Sequence, residues 1–275
     1  MAILTFILYA AAATLYGLHF AQRRQNVGLA ATAALAAAVL AHTFVLGVYS
    51  VHVGHLPIVS RDEAVSAFVW LLALTYLYLE MTTNERAMGA FIAPLLALLF
   101  LIPMTSHAPV ERPALLDSPL FAVHAVTAMC AYAAFALAAV VSITYILLFR
   151  ELKRKQPGVF FARLPPLRAL DVMNLRAITV GLIFLTIAVI AGVVWIGQAR
   201  VYAPNDPRVQ AMSLTDPKIS VALVSLIIYA FQIYARRILG WGGWRAAWLS
   251  TIGFASVLVN LLIVAYLVTT SHSFD

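Results

Sequence analysis

One cysteine is all the thiol chemistry this chain has, and Cys130 falls inside an apolar run. No disulfide can close within the chain, and no Cys-x-x-Cys-His haem-attachment motif exists. Cys130 reads as a small packing residue. Charge is just as scarce: Asp, Glu, Lys and Arg make up 11% of the residues against 63% apolar ones. A water-soluble domain needs a polar shell that this composition cannot supply. Polar stretches are short, the longest running to about 20 residues, which leaves no room for a soluble domain. The first segment lacks both a basic start and a small-residue cleavage site, so no cleavable signal peptide is expected. No strong internal repeat is visible, and few charges fall inside the apolar runs. Both absences count against a small-solute transporter.

What remains is hydrophobic segment after hydrophobic segment. Eight apolar stretches fall at residues 3–22, 27–51, 64–79, 87–104, 119–149, 178–196, 219–235 and 246–270. Most reach the roughly 18–20 residues that a hydrocarbon core of about 30 Å demands of a helix. The expected fold is therefore all-α: a polytopic integral membrane protein with about eight transmembrane helices, residues 1–275 forming a single membrane domain.

The net charge of +7 suggests nucleic acid until its placement is considered. Of the 18 basic residues, thirteen fall in the odd-numbered loops, counted from the N-terminus, and five in the even ones. That asymmetry orients a membrane protein and touches lipid headgroups; it predicts no nucleic-acid partner. The odd loops belong in the cytoplasm, and both termini outside it. The expected location is the inner (cytoplasmic) membrane.

Local signals agree with this layout. Ser118-Pro119 places a cap residue and a first-turn proline at the head of the fifth stretch. The basic segment 150–176 carries Pro157, Pro165 and Pro166 and reads as a surface loop with a short amphipathic stretch. Trp241, Trp244 and Trp248 fall at i, i+3 and i+7 beside Arg245, the pattern of an interfacial belt.

Six of the seven histidines lie towards the outer side of this layout. His52, His55 and His107 sit in loops, where solvated side chains are ordinary. His42 and His124 lie within apolar helices, where an imidazole needs a partner. A hydrogen bond would suffice. The sharper alternative is axial ligation of haem iron by two neutral imidazoles from different helices. His124, roughly 9 Å inside its helix end, and His272, at the end of the eighth stretch, have compatible depths. External arginines would then pair with the propionates.

Several runs carry a resemblance. Gly54-His55-Leu56-Pro57 with Glu63-Ala64 and Trp70, Phe91-Ile92-Ala93-Pro94-Leu95, His124-Ala125-Val126 with Ala131-Tyr132-Ala133, Asp216-Pro217-Lys218, Gly240-Trp241 with Gly243, and His272-Ser273-Phe274 occur in this order. Together they resemble the CcsA/ResC family of haem-handling membrane proteins, which serves system II cytochrome c maturation, and its HemX-like relatives. The resemblance implies haem b held non-covalently at the external face, with His124 and His272 as axial ligands to the iron. It implies Trp195 and Asp216 as what remains of a haem-presenting loop; Arg200, Arg208 and Lys218 are the candidate propionate partners. A CcsB/ResB-like subunit and apocytochrome c are the implied partners, and any enzymatic role is at most that of one subunit of a cytochrome c haem lyase.

Two departures from the family pattern stand out. The presenting loop is tryptophan-rich in the family, but residues 197–215 hold no Trp, and Tyr234 stands where the family carries a transmembrane histidine. A second reading therefore remains open. A HemX-like protein would regulate or stabilise a haem-synthesis or respiratory enzyme and bind no haem itself.

Overall fold

The computed structural model describes residues 1–105, 116–156, 158–206, 209–210 and 217–259, and the described residues are helical throughout, with short turns between. Helix α1 (Ala2–Gln22) turns directly into α2 (Gln25–Val53). Arg23 makes the turn in the left-handed region (φ 55°), its N–H bonding the His19 carbonyl. Gly54 and Asn84 end α2 and α3 (Arg61–Thr83) in the same way. The head of α3 is a capping box. Ser60 Oγ accepts from the Glu63 N–H, and the Glu63 carboxylate accepts from the Ser60 N–H. Helix α4 (Gly89–Thr105) is shorter and holds Pro94 and Pro103.

Helix α5 (Pro119–Lys153) starts at the expected proline, but Ser118 makes no side-chain capping bond. The expected surface stretch is α6 (Val159–Arg163), with Val159 and Phe161 exposed. Its first amides are held by the Glu151 carboxylate, which accepts from the N–H groups of Gly158, Phe160 and Phe161. Helix α7 runs from Leu167 to Tyr202, eleven residues earlier at its head than the hydropathy pattern indicates. The apolar run stops at Arg176, but the helix continues through it: Arg176 donates to the Thr82 carbonyl, and Asp171 one turn earlier is met by Arg236, 2.5 Å away. Helices α8 (Pro217–Arg237) and α9 (Trp244–Val259) complete the described chain.

Five helices, α1, α2, α3, α5 and α7, are long and apolar enough to cross a membrane, and α4 is a shorter apolar helix. They pack as two antiparallel rings of four. In the first, α1 lies against α2 and α4, and α3 against α2 and α4; in the second, α5 lies against α7 and α9, and α8 against α7 and α9. Helix α3 joins the rings through α5 and α7.

Polarity is turned inwards. Along α1 the buried residues are Thr5, Tyr9, Ala12 and Tyr16, while Ile3, Leu4, Ile7 and Leu18 are exposed. Lipid is as apolar as leucine, so outward-facing aliphatics lose nothing there, and interior hydrogen bonds hold helices together at roughly 0.6–2 kcal/mol each. In the first ring Glu80 is buried, accepts from Tyr16 (2.6 Å) and Thr32, and lies 3.6 Å from Arg86. In the second ring Asn174 donates to Ser142 and Ser250, and Gln232 donates to Ser250 and to the Ala246 carbonyl.

Candidate functional site

His124 lies one turn and a half into α5 and faces α7. Its Nδ1 is 2.8 Å from the backbone oxygen of Ala188. A carbonyl oxygen only accepts, so Nδ1 must carry the proton and Nε2 keeps its lone pair. The ring reaches α7 because Gly192 stands there: a Cβ at that position would lie 2.7 Å from Nδ1 and 2.9 Å from Cε1. One turn further out, Trp195 of α7 packs on Phe121 of α5, their ring centroids 5.1 Å apart. Trp195 is only 7% exposed, in a small cluster with Val59 and Leu116 near the start of α5 and the end of α7. It is an edge of the site's wall, not a free-standing aromatic platform. Arg200 follows in the last turn of α7. His272, Arg208 and Asp216 lie outside the described residues, as does His107.

Among the described residues, His42, His55 and His19 have protein partners. His42 is fully buried, with Nδ1 3.0 Å from the Tyr9 hydroxyl, Nε2 3.0 Å from Ser66 Oγ, and the ring edge-on to Phe100. Both nitrogens are engaged, so His42 ties together the first ring. His55 donates through Nδ1 to the Leu56 carbonyl within its own loop, and His19 bonds the Arg24 carbonyl across the α1–α2 turn. His52 is exposed. Among the described residues, no cluster of three or more His, Cys, Asp or Glu side chains could hold a metal ion. Cys130 is a free, half-buried thiol.

At the opposite end of the second ring, Tyr234 is 53% exposed and points away from the interior. The polar interior there belongs to Asn174, Ser142, Ser250 and Gln232, bounded by the Asp171–Arg236 pair. Asp171 also accepts from the Gly243 N–H. Sequence reasoning passed over this network because Asp171 and Asn174 read as loop residues. The lone Gln232 in an otherwise apolar run is the signal that could have found it. Gly192 carried no sequence signal: nothing local marks a glycine whose missing side chain makes room for a ring 68 residues earlier.

The family model described as Cytochrome C assembly protein matches residues 2–272. The chain belongs to the cytochrome c assembly protein family. Curated relatives of this assembly family agree across most of the chain. It is 27% identical to cytochrome c biogenesis protein CcsA of Guillardia theta over 84% of this chain and 81% of the relative. It is 26% identical to CcsA of Synechococcus elongatus over 88% and 86%. It is 25% identical to protein HemX of Bacillus subtilis over 96% of this chain and 93% of that protein.

Proposed function

We propose that this member of the assembly family holds haem at the external face of the membrane, with His124 and His272 as its two axial ligands. The observation that carries the reading is the 2.8 Å contact between His124 Nδ1 and the Ala188 carbonyl oxygen. An imidazole that donates through Nδ1 to a backbone carbonyl presents Nε2 as a good nitrogen donor. When bound, haem brings a redox-active iron and a porphyrin destined for a client cytochrome. The protein's own part is to hold the iron from two helices, wall one side with buried Trp195 and half-buried Phe121, and offer Arg200 and Arg208 to the propionates. Asp216 belongs to the remnant of the presenting loop. The proposed group is haem b, bound non-covalently, in keeping with a sequence that carries no Cys-x-x-Cys-His attachment motif.

The finer layout belongs to the same proposal. Eight spans, with α8 and α9 added to the six apolar helices, would put both termini on the outer side of a cytoplasmic membrane. All of residues 1–275 then form one membrane domain. A CcsB/ResB-like subunit and apocytochrome c are the proposed partners.

A HemX-like role is the second reading, favoured by a match that covers nearly the whole of both chains. The absence of an aromatic platform at Trp195 and the outward-facing Tyr234 point the same way. An absorption spectrum of the detergent-purified protein separates the two. A sharp Soret band that His124→Ala and His272→Ala each abolish, with partial recovery on adding imidazole to His272→Ala, supports external haem binding. A protein without haem supports the HemX-like role. If Tyr234→Phe removes the haem and His272→Ala leaves it, the haem lies at the cytoplasmic end and the external site is wrong.

A further inference from the structure

We propose that Gly192, acting with the Ala188 carbonyl one turn before it, is a positioning residue that fixes which nitrogen His124 offers. The inference rests on the haem-holding reading for its purpose but not for its geometry. Three observations converge on it. Gly192 sits in the interior of α7 with no positive φ, so backbone freedom does not require glycine there. Glycine in a helix interior weakens it relative to alanine, so a packing reason is called for. The reason is the His124 ring, which lies where a side chain would be: a Cβ would fall 2.7 Å from Nδ1, 2.9 Å from Cε1 and 3.4 Å from Cγ. Finally, the Ala188 oxygen that receives the Nδ1–H, at 2.8 Å, is the one α7 pairs with the Gly192 N–H in its own ladder. A carbonyl has two lone pairs and can serve both donors.

The chemical consequence is specific. With a methyl group at 192, the ring cannot lie flat along α7 and reach the Ala188 oxygen. It must swing, and the Nδ1–H loses its acceptor. The imidazole is then free to exchange between its two neutral tautomers, and Nε2 is no longer held as the lone-pair nitrogen. Outer contacts of this kind typically govern metal affinity by about 10- to 100-fold.

The test uses Gly192→Ala, with Gly197→Ala as its control. Gly197 lies on the same helix, and a Cβ there would meet nothing within 4 Å. In the haem-free, full-length protein, histidine 15N NMR reads the His124 tautomer directly. The expected result is Nδ1–H in the wild type and in Gly197→Ala, and a mixed tautomer in Gly192→Ala. In the haem-loaded protein, Gly192→Ala weakens haem binding about 10- to 100-fold and shifts its reduction potential, while Gly197→Ala changes neither. The inference is overturned if wild-type His124 carries its proton on Nε2, a result that needs no variant to fold. It is equally overturned if Gly192→Ala matches Gly197→Ala in tautomer. A wild type without haem but with the fixed tautomer would sink the haem reading and leave the positioning role standing.

Discussion

His42 gives both ring nitrogens to protein partners, Tyr9 and Ser66, whereas His124 gives one to Ala188. The difference sets their expected mutational behaviour. His42→Ala strands the Tyr9 hydroxyl and Ser66 in a dry interior, and buried polar groups left unpaired cost about 1–3 kcal/mol each. The variant should unfold earlier in a detergent-denaturation series while its absorption spectrum stays that of the wild type. A haem spectrum lost in folded His42→Ala would make His42 a ligand and dismiss its structural role. The run around His124 carries the family resemblance and that around His42 does not, but neither run shows which partner its imidazole meets. Both lie in apolar helices, and their partners stand 24 and 64 residues away for Ser66 and Ala188. The need for a partner was legible; which partner was a matter of packing.

At the scale of an element, α8 is inside out by the standards of a soluble protein. Ser225, Tyr229 and Gln232 recur at i, i+4 and i+7 and are buried, while Leu223, Val224, Ile227 and Phe231 are exposed. Tyr229 stacks on Phe135 of α5 with ring centroids 3.7 Å apart, and Phe135 in turn occupies the space left by Gly181 of α7. Nitroxide labels at Ile227 and Phe231 should therefore relax strongly with molecular oxygen, which concentrates in lipid, and a label at Gln232 weakly. The opposite pattern would mean that α8 turns its other face to the bundle. Element positions were readable from the apolar runs because lipid-facing and core-facing residues are both hydrophobic. Their ends were not, since a run stops at its first charge whether or not the helix does. Arg176 and Asp171 show why: α7 accepts them because Arg176 donates to the Thr82 carbonyl and Asp171 pairs with Arg236, partners that only the folded bundle brings near. Similarly, the candidate site was half legible. The His124 motif could be read, but the Gly192 seat and the burial of Trp195 come from how α5 and α7 meet.

For the whole molecule, thirteen basic residues on one side against five on the other predict orientation. A reporter fused after Asp275 should be active outside the cytoplasm, and one inserted beside Lys155 active within it. The reverse pattern would place His124 on the cytoplasmic side and remove the external site. A long-range tie joins basic loops: Arg163 at the end of α6 bonds the carbonyls of Phe20 and Ala21 at the end of α1.

The two rings also differ in when they can be completed. Every contact that closes the first lies within residues 2–105, and the buried Glu80 meets Arg86 only six residues later, with Tyr16 and Thr32 already made. In the second ring Asp171 waits 65 residues for Arg236, and Asn174 waits 76 for Ser250. At synthesis rates of about 5–20 residues per second, the Asp171 carboxylate is without its cation for roughly 3–13 s. During that interval α5 and α7 are paired but the polar interior between them is open. A ribosome stalled before α8 would therefore hold a finished first half beside a second half that cellular quality control can still recognise as incomplete.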